Sequence, residues 1–118
     1  MGQLMIEPQK WKKLIKETVY YISSKECQKQ HWFNPNGLII DPDELYNQLF
    51  GDYTFELFLE DDSVGLDNKQ KQLGYQLCRL MENYSKDHIG SFIVDEIFYD
   101  PEWNEIRNAA KKIYDSLD

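Results

Sequence analysis

The chain has 118 residues, 42% of them apolar and 14% aromatic, with 21 acids against 13 bases and a net charge of −8. That is the length of one domain with one core, and the composition is too apolar for a disordered acidic tail. The acid excess removes the basic footprint that non-specific nucleic-acid binding needs and disfavours docking on anionic membranes.

The charge is unevenly spread. Residues 1–30 carry six lysines and three glutamates, whereas residues 31–68 carry nine acids and neither lysine nor arginine. Residues 69–91 are net +2 and residues 92–118 net −4. This pattern favours a basic protein partner and electrostatically accelerated association. Cys27 and Cys78 do not make a disulfide scaffold and read as free thiols in a reducing compartment. The apolar run in MGQLMIEPQK is too short for a signal peptide. Ile6 stands where an N-myristoylation motif wants Ser or Thr, and no segment approaches transmembrane length. The expectation is one cytoplasmic domain over residues 1–118, monomeric or weakly dimeric.

Glu7-Pro8 opens the first helix, with Pro8 in the first turn. Trp11, Leu14, Ile15, Thr18, Val19 and Ile22 form one apolar stripe, with Lys12, Lys13 and Lys16 off it. Tyr20, Ser24, Cys27 and His31 fall on the other side. Either the helix bends near Ser23-Ser24 or its second half touches something with its other face. Asn34-Pro35-Asn36-Gly37 is a turn signal, followed by the apolar run Leu38-Ile39-Ile40. Asp41-Pro42-Asp43-Glu44 is a helix start, with Asp41 as N-cap, Pro42 at the first helical position and Glu44 closing a capping box. Leu45, Tyr46, Leu49 and Phe50 give its buried side, and Gly51 is placed to cap its C-terminus.

Residues 53–60 admit two periodicities. Tyr53, Phe55, Leu57 and Leu59 alternate as in a strand, while Phe55, Phe58 and Leu59 recur as in a helix. The helix is preferred, because no second strand of similar quality exists to satisfy the backbone of a first. An acidic loop, Glu60–Gly65, leads to a second capping box at Asp67 and Gln70. The helix after it carries Leu73, Leu77, Leu80, Met81 and Tyr84 and ends near His88 and Gly90. Ser91–Tyr99 reads as a short helix with Phe92, Ile93 and Ile97 inward, with a strand as the alternative. Asp100-Pro101 starts a final helix carrying Trp103, Ile106, Ala110, Ile113, Tyr114 and Leu117 on one face. The expected fold is an all-α compact bundle of five or six helices.

The stretch Asp41–Asp62 stands out chemically. It holds eight acids, no lysine or arginine, and the aromatics Tyr46, Phe50, Tyr53, Phe55 and Phe58. Asp41, Asp43 and Glu44 suit a first helical turn, where the helix dipole favours negative charge. Asp52, Glu56, Glu60, Asp61 and Asp62 have no base nearby in sequence. They read either as a binding surface or as a solvated face whose compensating lysine lies elsewhere in the chain. Asp95, Glu96, Asp100, Glu102 and Glu105 form a second acidic group, which would reinforce the first if the two lay side by side. Trp32-Phe33 is either an exposed aromatic anchor or core cover at a helix end.

Other chemistries find little footing. Paired carboxylates need a cleft to act as a glycosidase, and the Asp61–Asp62 loop fails the EF-hand register. Cys27, His31, Cys78 and His88 lack the paired spacing of a structural zinc site and make no Cys–His nucleophile. No phosphate loop, dinucleotide fingerprint or nucleophile elbow occurs. No enzyme activity, cofactor or metal is expected.

In size, charge and composition, carried by Asp41–Asp62 and by Asp95–Glu105, the chain resembles the small acidic immunity proteins of bacterial contact-dependent or colicin-type toxin systems. That resemblance implies a non-catalytic inhibitor that occupies a basic toxin domain, a nuclease, with carboxylates standing in for phosphates. The residues assigned to the partner surface are Asp52, Tyr53, Glu56, Phe58, Glu60, Asp61, Asp62, Asp95 and Glu96, with Tyr53 or Phe58 as the packed centre. The alternative is a regulatory adaptor or antitoxin-like subunit that docks a cellular protein without blocking an active site.

Overall fold

In the computed structural model, which describes residues 7–33, 41–87 and 93–117, the first apolar stripe forms helix α1 (Pro8–Ser23), burying Trp11, Ile15, Thr18, Val19 and Ile22. The bend expected near Ser24 is a complete break. Ser24 takes extended backbone, and its hydroxyl accepts the Cys27 amide at 3.0 Å, capping α2 (Lys25–Trp32). The Asn34–Ile40 turn and apolar run, and Phe92, His88 and Gly90, lie outside the described residues.

Asp41 caps α3 (Pro42–Tyr46), its carboxylate accepting the Glu44 amide at 2.9 Å. The helix does not stop at Gly51, as its glycine suggested. It widens into a π-helical turn over Asn47–Asp52, closed by the Tyr53 amide donating to the Gln48 carbonyl at 2.8 Å. The left-handed residue that ends it is Thr54, at φ 43° and ψ 64°. Two contacts hold this strained end. The Tyr53 carbonyl accepts the Trp11 indole N–H at 2.8 Å, and Phe55 is fully buried. Residues 55–60 then form α4 (Phe55–Glu60), in agreement with the helical periodicity.

The capping box ahead of α5 (Asn68–Asp87) is reciprocal. The Gln70 amide donates to the Asp67 carboxylate at 2.7 Å, and the Asp67 amide to the Gln70 side-chain carbonyl at 2.9 Å. A Cβ on Gly74 would stand 2.4 Å from a Leu59 methyl, so α4 reaches α5 only because that position has no side chain. α6 (Val94–Phe98) buries Ile97 and Phe98. Ile93, expected inward, is 52% exposed because it caps the helix from outside. α7 (Pro101–Ser116) starts from Asp100, whose carboxylate accepts the Glu102 amide at 2.9 Å.

α7 packs along both α1 and α5 and runs antiparallel to each. Tyr114 meets Tyr20 while Trp103 and Arg107 reach Gln28, and Ser116 meets Gln70 while Asp100 meets Tyr84. The core between them is continuous. Trp103 is fully buried, with the rings of Tyr84, Trp32 and Tyr46 at 5.3, 6.0 and 6.4 Å. Seven helices and no strand are seen among the described residues, against five or six helices expected. The break at Ser24 supplies the additional one. No helix among the described residues is long and apolar enough to cross a membrane.

Two polar residues complete the core. The Gln28 side-chain amide donates to the Tyr21 and Ile22 carbonyls at 2.8 and 2.7 Å, groups that the end of α1 leaves without helical partners. Its carbonyl oxygen accepts Arg107 Nε at 2.7 Å, and Arg107 also donates to the Phe98 carbonyl at 3.0 Å. These bonds tie α1, α2, α6 and α7 together at one end of the bundle.

Candidate protein-binding surface

α4 decides which residues of the acidic stretch reach solvent. Its helical register buries Phe55, Phe58 and Leu59 and turns out Glu56, Leu57 and Glu60. Phe58 is fully buried, 6.2 Å from the Phe55 ring and edge-on to Trp11 at 5.4 Å. It belongs to the core, which corrects its assignment to the partner surface. The apolar group that does project is Leu57, 59% exposed, one position after Glu56 and to one side of the Glu56–Glu60 pair on the helix. Tyr53 is half-buried against the core, with Asp52 exposed beside it.

The carboxylates are not equivalent. Glu60 is engaged by α5: Lys71 Nζ lies 3.7 Å away, and the Tyr75 hydroxyl donates to it. That hydrogen bond, with burial and the Glu60 charge behind it, pushes the Tyr75 phenol up to about 12. Asp61 folds its own loop. Its carboxylate accepts the Ser63 amide at 2.8 Å and the Ser63 hydroxyl, and these bonds hold its pKa below the ordinary aspartate value. Asp52, Glu56 and Asp62 are exposed and form no ion pair or hydrogen bond with another described residue. The lysine that compensates part of this stretch in space is therefore Lys71, and it serves Glu60.

The second acidic group lies elsewhere. Asp95 and Glu96 are exposed in the first turn of α6, which packs against α2. Along α5, Tyr75 marks the α4 end and Tyr84 the Asp100 end, roughly 14 Å apart in helical rise. Glu60 and Asp100 are thus separated along α5, whereas Glu105 of the second group lines a groove with Lys112 and with Gln76, one position from Tyr75. Around Asp95 and Glu96 the exposed apolar groups are Ile93 and Tyr99, the latter 73% exposed. Of the Trp32-Phe33 pair, Trp32 packs edge-on to Phe98, while Phe33 is 41% exposed with its edge on the same ring.

The thiols are held as thiols. Burial pushes Cys78 up to about 12, with the Glu56 and Glu82 charges adding to it, and burial also raises Cys27. No group of three or more His, Cys, Asp or Glu is placed to hold a metal among the described residues. What the α4 face offers chemically is a projecting aliphatic side chain beside the exposed carboxylate of Glu56. Leu57 went unassigned at the sequence level although its signal was present, because the register that buries Phe55, Phe58 and Leu59 must turn residue 57 outward. Tyr75 and Lys71 had no such signal, since they approach Glu60 from another helix.

No protein-family model, curated protein or solved structure matches this chain.

Proposed function

We propose that this protein is a non-catalytic, immunity-like inhibitor that binds a basic toxin domain, a nuclease, through the outer face of α4. The observation that carries the reading is Leu57, 59% exposed beside Glu56 on the outer face of α4, in a stretch of 38 residues (31–68) that holds nine acids and no lysine or arginine. Leu57 would fill an apolar notch, while Asp52, Glu56 and Asp62 would take the place of substrate phosphates on the partner. Such pairs gain association rate from steering and residence time from a buried anchor.

The test pairs genetics with binding. Co-expression with the C-terminal domain encoded immediately upstream should rescue growth and yield a one-to-one complex. Asp52→Lys, Glu56→Lys and Asp62→Lys combined should keep the fold and weaken the complex at least a hundredfold, taking about 1 kcal/mol per reversed charge. Leu57→Asp should weaken it about tenfold or more through faster dissociation. Unchanged affinity in both variants would refute the assignment to α4.

A second reading rests on the separation of the two acidic groups. Exposed Tyr99 and Ile93 beside Asp95 and Glu96 form an aromatic-acid face on and next to α6, which packs against α2. That arrangement suits an adaptor docking a protein on each of two faces. An adaptor leaves its partner active, whereas an inhibitor does not, so an activity assay on the isolated complex separates the two.

A further inference from the structure

The lysines of α1 carry an inference independent of the α4 reading. Lys10, Lys12, Lys13 and Lys16 follow one another on the first turns of α1 and line an open groove of about 800 Å³. A second groove of about 370 Å³ shares Lys13 and Lys16 with the first and continues to Tyr20 and Tyr114. Together they make one trough along the helix, and from Lys10 to Tyr20 it runs for roughly 15 Å. In a chain with net charge −8, none of these four lysines takes part in an ion pair with another described residue. Glu7 and Glu17 line the trough as well, against its four lysines, and the Glu17 carboxylate faces the Tyr21 hydroxyl, whose pKa burial and that charge raise.

The far end of the trough is built rather than loose. Lys16 Nζ lies 5.1 Å from the centroid of the Tyr114 ring, and the Tyr20 ring, 43% exposed, leans on Tyr114 at 5.6 Å. A cation–π contact holds that lysine in place, so it loses less freedom on binding an anion. We infer that the trough docks an acidic protein segment, extended over four or five residues, with carboxylates on Lys10, Lys13 and Lys16 and an aromatic or aliphatic side chain against Tyr20 and Tyr114. The length matches, since a strand advances about 3.3 Å per residue. Charge complementarity selects the occupant, and the acid excess over the rest of the molecule repels a long polyanion such as nucleic acid or an anionic bilayer.

The probe is a fluorescein-labelled peptide of four acidic residues followed by Tyr and Leu, titrated with the full chain and read by anisotropy. Saturable binding near 10 µM at low salt is expected, corresponding to a modest peptide interface. Lys13→Glu with Lys16→Glu should weaken it at least tenfold, and Lys13→Gln with Lys16→Gln by less. Raising the salt from 50 to 300 mM should weaken the wild-type complex several-fold. Both variants change exposed or half-exposed side chains, and an unchanged Tm establishes that they fold. Absence of saturable binding would overturn the inference. So would equal binding by the Glu variant, or tighter binding of a ten-residue oligothymidylate or of vesicles of 30% phosphatidylserine in phosphatidylcholine. The α4 face is untouched by these variants, so neither result bears on the inhibitor reading.

Discussion

Two Asp-Pro sequences open helices with opposite fates. Asp100-Pro101 starts 16 regular residues, whereas Asp41-Pro42 starts five, then a π-helical turn and a left-handed threonine. The starts are chemically alike: a carboxylate accepts an early amide at 2.9 Å in each, and proline holds the first position. The surroundings differ. α7 lies between α1 and α5 and buries Trp103, Ile106, Arg107, Ala109, Ala110 and Ile113 along its length. The chain after Tyr46 must instead leave that seam to carry Phe55 and Phe58 beneath Trp11. A cap nucleates a helix, and tertiary packing decides how far it runs.

Removing the caps should separate them most. Asp100 accepts the hydroxyl of buried Tyr84 at 2.7 Å in addition to capping α7, while Asp41 accepts the Glu44 amide. Loss of a cap costs about 1 kcal/mol, and withdrawing the acceptor of a buried hydroxyl adds about 1–2 kcal/mol. Asp100→Ala should therefore destabilise by about 2–3 kcal/mol and Asp41→Ala by about 1 kcal/mol in urea unfolding. Equal costs would mean that the Tyr84 contact contributes nothing to the α7 start.

The phenol on the shorter helix gives the comparison a pH dependence. Tyr46 donates to the Met81 carbonyl at 2.6 Å, and burial raises its pKa well above the ordinary value of 10.0. The folded state keeps this proton where the unfolded state loses it. The contribution is complete below about pH 10 and is lost as pH rises toward the folded value, with an upper limit of about 1.4 kcal/mol per pH unit. Unfolding at pH 8 and pH 11 should show the wild type losing more stability than Tyr46→Phe. Parallel losses in the two proteins would show that other groups carry the alkaline sensitivity.

What could be read in the sequence was local. Asp67 with Gln70, Asp41 with its proline, and the spacing from Trp11 to Ile22 are patterns of two to twelve residues whose chemistry needs no partner outside the helix. The same spacing over Phe55, Phe58 and Leu59 implies the outward face of α4 and places Phe58 in the core, not on the partner surface. The rest depends on chain segments far apart. Gln28 and Arg107 are polar residues that enter the core only because they meet each other across 79 positions. Glu60 differs from Glu56 only through Lys71 and Tyr75 on the next helix. Which carboxylates stay available to a partner is therefore a tertiary property.

Gly51 and Thr54 test most finely how the shorter helix ends. Composition alone places the left-handed turn at Gly51, yet only Thr54 among the described non-glycine residues has positive φ, and a Cβ at Gly51 would meet nothing within 4 Å. Gly51→Ala should accordingly stabilise by about 0.5–1 kcal/mol, since alanine gives up less backbone freedom on folding. Thr54→Gly should also stabilise, because a left-handed β-branched residue costs about 1–2 kcal/mol and glycine returns about half of that as unfolded-state entropy. The Thr54 hydroxyl is buried without a hydrogen-bond partner, so its removal adds to the gain. A Tm that falls for Gly51→Ala and rises for neither variant would put the helix end back at the glycine.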